Sequence, residues 1–179
     1  MTRFAIIDAG RVTNIIESDA AFAASIGAID ATGASMGDLW DGQAFTRPPL
    51  PPIAARRAAA WEAIKAKRDT LSDEGGYKIG VNGIDKWFHS DGKSKTQQLS
   101  LVVMGAAVSN VPPWKTMDGS KVTLTQAMVG QIFNAAVTQD GTLFAVAENH
   151  KTAMEASADP STYDFSGGWP AVFVPAAGA

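Results

Sequence analysis

Cysteine is absent from the 179-residue chain, and histidine occurs only twice, at His89 and His150. These absences remove disulfides, thiolate metal sites and cysteine nucleophiles together. Structural zinc takes four nitrogen or sulfur ligands, so two distant imidazoles make no metal site expected. Positive charge is also short: 15 Lys and Arg against 18 Asp and Glu leave −3, the wrong sign for binding a phosphate backbone. Nucleic acid is therefore not an expected partner. No uninterrupted apolar run reaches the roughly 18 residues of a membrane span, and the opening Met1-Thr2-Arg3-Phe4-Ala5-Ile6-Ile7-Asp8 meets an acid before a signal-peptide core develops. The expectation is a soluble protein made in the cytoplasm, without membrane insertion. Phosphate loops are missing too, because Gly75-Gly76 precedes a strand instead of opening a helix and no Walker spacing occurs. No cofactor is expected.

What is present is globular: 46% of residues are apolar and 18% charged, which excludes wholesale disorder. Residues 1–46 carry six acids against Arg3 and Arg11 and read as a small antiparallel β module. A hairpin is predicted around Ala9-Gly10, with Asp19 capping a short helical turn over residues 20–24 and a third strand over 28–31. Asp41-Gly42 lies between the aromatic-bearing runs at Trp40 and Phe45, a further hairpin signal. Residues 47–52 hold four prolines in Pro48-Pro49-Leu50-Pro51-Pro52 and predict a stiff, extended linker. Residues 53–73 are Ala-rich and free of Gly and Pro, a helix whose thin apolar stripe is Ile53, Ala60, Trp61, Ile64 and Leu71. A stripe that narrow must be covered, either by the helix's own chain or by copies of itself, so the segment is a spacer or an oligomerisation helix.

Residues 74–179 repeat one design: hairpin, cap, helix. Asn82-Gly83 and Asp118-Gly119 mark the two turns. Ser90 or Asp91 caps the first helix, with Leu99, Val102, Val103 and Ala106 as its expected core face. Thr125 caps the second, with Val129, Ile132, Phe133 and Ala136 on the same spacing, extending through Leu143, Phe144, Ala147 and Met154 to about residue 157. Asp159-Pro160 stops it, and the aromatic tail over residues 163–173 is expected to wrap the domain and bury its rings. The fold class is α+β.

Chemistry has few places to reside. His89-Ser90-Asp91 groups an imidazole, a hydroxyl and a carboxylate, but neighbours at a strand end point apart, and a triad needs its base bonded to both partners. Capping by Ser90 or Asp91, with His89 satisfying local backbone, is the preferred reading. His150 is expected at the boundary of core and solvent. Glu148 and Glu155 lie seven apart on one helical face and read as solvated. No catalytic, cofactor-binding or metal residue is assigned. The interface candidates are Trp40, Phe45, Ile53, Trp61, Ile64, Leu71 and Trp169, with Trp61 foremost because its helix offers little apolar company.

Across residues 60–157, the segments Trp87-Phe88-His89-Ser90-Asp91, Gln97-Gln98-Leu99, Trp114-Lys115-Thr116-Met117-Asp118-Gly119, Thr125-Gln126-Ala127 and Gln131-Ile132-Phe133 resemble an uncharacterised domain common in tail proteins of bacteriophages and prophages. Residues 1–46, with Gly37-Asp38-Leu39-Trp40-Asp41-Gly42-Gln43-Ala44-Phe45 before the prolines, resemble the small N-terminal domain of tail-fibre-associated and fibre-assembly proteins. The resemblance implies a non-enzymatic structural protein of the virion tail, at the tail tip or baseplate beside the fibres, made in the bacterial host cytoplasm. Its implied partners are other tail proteins, and a homo-oligomer is compatible with it. The rival readings are a fibre-assembly chaperone absent from the mature virion and a host-surface binding module.

Overall fold

In the computed structural model of the chain, which describes residues 2–175, Ala9 and Gly10 take positive φ values of 47° and 74°. That is the backbone of a tight two-residue hairpin turn, and it joins β1 (Thr2–Asp8) to β2 (Arg11–Ser18) with Asp8 opposite Arg11. The register slips between Ile6 and Ile7, leaving Thr13 as the extra residue of a bulge. Asp19 caps α1 (Ala20–Ser25) by accepting from the Phe22 amide at 2.8 Å, as expected. β3 (Ile29–Asp30) then pairs with β1, and the hairpin of β4 (Leu39–Trp40) and β5 (Phe45–Thr46) extends the sheet beyond β2. The five antiparallel strands run β3-β1-β2-β4-β5 over a core of Ala5, Val12, Ala31 and Ala34. Small side chains make this core thin. Residues 47–52 follow without helix or strand.

The chain divides into two units, Met1–Pro51 and Pro52–Ala179, so the boundary falls inside the proline run. The second unit begins with α2 (Ile53–Glu74), which is neither a free rod nor a separate segment. It lies antiparallel to α4 (Gln126–Ala156): Arg57 Nη2 donates to the Glu155 carbonyl at 2.8 Å, and Ser72 Oγ to Asp140 Oδ1 at 2.9 Å. Between those points Ile64, Ala147 and Met154 are wholly buried against one another. The stripe that required a cover thus finds it in its own chain. Arg56 adds an ion pair to Asp159 at 2.6 Å.

β6 (Tyr77–Val81) and β7 (Ile84–Phe88) form the expected hairpin, with Asn82 and Gly83 both at positive φ. Asp91 caps α3 (Gly92–Met104), which tightens into a 3-10 turn over Gly105–Asn110. The second hairpin is shorter than its turn signal implies: β8 (Trp114–Lys115) pairs with β9 (Lys121–Val122) around a five-residue loop. Thr125 caps α4, which runs unbroken through Gly141. The main core gathers Ile79 and Phe88 from the first hairpin, Leu101 and Val108 near α3, and Val122, Leu124, Val129 and Ile132 from the second hairpin and α4.

One expectation fails here. Leu99, Val102 and Val103 are not core: they are 53%, 41% and 83% exposed, Ala106 lies exposed in the 3-10 turn beyond the helix, and α3 buries Gln98 and Leu101 instead. On α4 Val129 and Ile132 are buried as expected, but Phe133 and Phe144 stand outward. Both helices are amphipathic about an axis rotated from the one their longest apolar residues define. Gln98 is drawn inward because its Nε2 donates to the His89 carbonyl at 2.7 Å, which seats the C-terminal end of β7 on α3.

Candidate functional site

Three of the segments that carry the resemblance, those around Trp87–Asp91, Gln98 and Met117–Asp118, converge, and what they build is bracing. Ser90 is buried, and its Oγ accepts from the Gly76 amide at 2.9 Å. Gly76 has φ +74°, and a Cβ there would collide with Met117 Sδ and press on the Phe88 carbonyl. The Met117 amide in turn donates to the Trp87 carbonyl at 2.9 Å. One backbone crossing is therefore locked from the α2–β6 turn, the end of β7 and the β8–β9 loop at once. Lys86 reaches across to Asp118 Oδ2 at 2.7 Å and to Ser120 Oγ at 2.8 Å. Lys86, then Thr116 and Ser120, hold the Asp118 carboxyl well below the usual carboxylate range.

His89, Ser90 and Asp91 do not assemble as a triad. Ser90 faces inward to Gly76, and Asp91 accepts from the Ser94 amide at 3.0 Å and the Ser94 hydroxyl at 2.6 Å as the α3 cap. Those bonds keep the Asp91 carboxyl below its ordinary value. His89 offers its carbonyl to Gln98, while its ring lines a shallow cleft of about 410 Å³ with Lys93, Trp114, Lys115 and the Pro112-Pro113 pair. Asp91 and Ser94 line it too, their side chains bonded to each other as the α3 cap, with no hydrogen bond to the His89 ring among the described residues. Among the described residues, no group of three His, Asp or Glu side chains is placed to hold a metal ion. Among them, too, no helix is long and apolar enough to cross a membrane.

The second histidine does what the sequence did not reveal. His150 Nδ1 lies 2.9 Å from Tyr163 Oη and Nε2 lies 3.0 Å from the Gly167 carbonyl, while the ring stacks on Trp169 at 5.2 Å. It pins the aromatic tail to α4. Trp169 Nε1 donates back to the Phe165 carbonyl at 2.8 Å, and Lys67 Nζ donates to the Ser166 carbonyl at 2.9 Å. Tyr163, Phe165 and Trp169 pack on the Ile64–Ala147–Met154 cluster, so the tail buries its rings as expected.

Most of the interface candidates are engaged within their own units. Ile64 is fully buried, and Trp61 packs half-buried beside it, with the Lys151 ammonium 5.0 Å from its ring. Trp169 is held by His150, and Leu71 is half-buried. Trp40 and Phe45 pack on each other at 4.5 Å in the first unit. Of the seven, only Ile53, 45% exposed at the start of α2, stands open. The large uncovered apolar surface lies elsewhere, on α3 and α4.

One family, described as a domain of unknown function (DUF4376), matches residues 55–167, more than half of the 179. The chain belongs to the DUF4376 family. The DUF4376 match takes in nearly all of α2, both hairpins, α3, α4 and the tail as far as Gly167, so it holds the braced crossing and the His150 bonds to Tyr163 and Gly167, while Trp169 lies just beyond it. No curated protein and no solved structure matches the chain.

Proposed function

We propose that the chain is a non-enzymatic component of a bacteriophage tail, placed at the tail tip or fibre region, where it connects or stabilises fibre and baseplate proteins. The observation that carries this reading is the use made of the polar residues in the motifs. Ser90, Asp91, Gln98, Lys86 and Asp118 all bond to the chain itself, which suits a part whose task is to hold shape under load. The resemblance of residues 1–46 and 60–157 to tail-associated proteins supports the location. A two-unit chain with prolines at the junction suits a connector, since each unit keeps its own core and the junction loses little entropy on ordering. The partners in this reading are other tail proteins, with no nucleic acid and no membrane. Assembly follows synthesis in the bacterial cytoplasm.

A fibre-assembly chaperone is the second reading, favoured by the uncovered apolar surface of α3 and α4. Quantitative mass spectrometry of purified particles, scaled to the major tail proteins, separates the two. A small fixed copy number is expected for the tail component. Absence from particles, together with fibre that is soluble only on co-expression, selects the chaperone, and absence with no effect on fibre overturns both.

A further inference from the structure

Leu99, Val102 and Val103 on α3 share one outward face with Phe133, Val137 and Phe144 on α4, each between 41% and 83% exposed. The spacings i, i+3 and i+4 on α3 and i, i+4 and i+11 on α4 make two parallel stripes, and Leu99, Phe133 and Val137 line one pocket of about 240 Å³ between them. On its own this is an apolar face without a cover, but three further observations say what covers it.

The first is charge. Residues 96–114 contain no Asp, Glu, Lys or Arg, and residues 122–147 contain only Asp140. Asp140 is matched by Lys95, 3.3 Å away at the rim of the pocket. Arg68 of α2 lies over the Phe144 ring at the edge of the face and is matched by Asp69 at 2.6 Å, so the face carries no net charge and offers nothing for a partner of opposite sign to recognise. Residues 52–179 as a whole carry twelve basic and twelve acidic side chains, so two copies of this unit meet without net repulsion. The second is composition and size. Charge depletion with Phe, Leu and Val in the centre is the make-up of permanent homodimer interfaces, whereas transient ones are as polar as ordinary surface. Six half-exposed side chains of this size present on the order of 600 Å², at the lower end of the ~600–1,000 Å² each partner of a standard interface buries. The third is Tyr77. It is 1% exposed and lines the same pocket, yet its Oη has no hydrogen-bond partner. A buried hydroxyl in that state is rare, and a second copy seated over the pocket would bring the polar atom or trap the water that completes it.

We propose that the α3–α4 face is the two-fold interface of a homodimer, each copy covering the other's Leu99–Phe133–Val137 pocket. Closed cyclic pairing of identical patches is the commonest symmetry among soluble oligomers, and it needs no complementary surface elsewhere on the chain. The inference moves self-association from α2, whose stripe is already covered, to the helices beside it. It stands whether or not the chain is a tail component.

Sedimentation equilibrium of the full chain, from nanomolar to high micromolar, tests it against Val103→Lys/Val137→Lys. Both side chains are mostly exposed in the single copy, so lysine there leaves the fold intact by circular dichroism. The expected result is a wild-type dimer whose dissociation constant rises about 100-fold or more in the variant. Met36→Lys, on an exposed methionine of the first unit, is expected to leave the dimer unchanged. Should the double variant fail to fold, Val103→Lys alone carries the same comparison. A wild type that is monomeric throughout, a trimer or larger ring, or a dimer indifferent to lysine at position 103 overturns the proposal.

Discussion

The two halves of α4 carry the same apolar repeat and meet opposite fates. From Ala147 onward the repeat is sealed: Ala147 and Met154 are buried under Ile64 of α2 and ringed by Tyr163, Phe165 and Trp169 of the tail. From Phe133 to Phe144 the outer stripe stands open, with Arg68 lying over the Phe144 ring at 4.4 Å. Helical periodicity establishes that a face exists. It does not say whether the cover comes from the same chain, and here the difference is made by two elements of weak pattern, the thin stripe of α2 and an aperiodic tail.

The largest effect belongs in the sealed half. Met154→Ala removes a wholly buried side chain from a site clamped by α2 and the tail, where little can collapse into the gap. A loss of roughly 2–5 kcal/mol in denaturant unfolding is expected. An effect under ~1 kcal/mol would erase the contrast between the halves.

Next in size is the braced crossing beneath the open half. Gly76→Ala combines a left-handed φ with crowding by Met117 and the Phe88 carbonyl. A loss of roughly 2–3 kcal/mol is expected in the same measurement. Gly83→Ala is the control, since its φ of +80° carries the same backbone strain with open space around the Cβ. The difference between the two variants isolates the crowding at the crossing.

A smaller loss, about 1–2 kcal/mol, is expected from His150→Ala, which deletes two hydrogen bonds and the stack on Trp169. Its sharper readout is limited proteolysis. Cleavage after Tyr163 or Phe165 should accelerate while the hairpins stay protected, and a tail that remains protected would mean that the packed rings suffice to hold it.

These residues mark what the sequence could and could not disclose. Each described hairpin carried a turn signal: Asn-Gly and Asp-Gly favour the backbone that a tight turn requires, although the Asp41-Gly42 and Asp118-Gly119 loops widened to four and five residues, and in Ala9-Gly10 only the glycine does, Ala9 taking φ 47° against alanine's preference. The caps Asp19, Asp91 and Thr125 were legible for the same local reason. The orientation of α3 was not. Gln98 goes inward only because the His89 carbonyl needs a donor, a long-range demand with no signature in the helix's own pattern. Nor was the His150 anchor, since its partners, Tyr163 and Gly167, sit in a segment without period. Gly76 was visible as a helix stop but not as the point where three segments cross.

Tyr77→Phe is the smallest change and the one that probes the open half most directly. Burial first, and then Asp140, Asp73 and Asp91, push the Tyr77 phenol above its ordinary range, so the folded chain holds it neutral after the unfolded chain has begun to ionise. A pKa raised on folding leaves stability flat below the unfolded value of about 10 and drains it as pH climbs beyond. At neutral pH the phenylalanine variant is expected to match or slightly exceed the wild type, by up to about 1 kcal/mol, because it removes an unpartnered buried hydroxyl at no cost in volume. Above pH ~10 the gap should widen in the variant's favour. The two proteins differ at this one hydroxyl, so the difference between their pH profiles reports Tyr77 alone. A variant less stable than wild type at neutral pH would mean that the Tyr77 hydroxyl has a partner in solution, and a gap that fails to widen in alkali would mean that the floor of the α3–α4 pocket is already open to water.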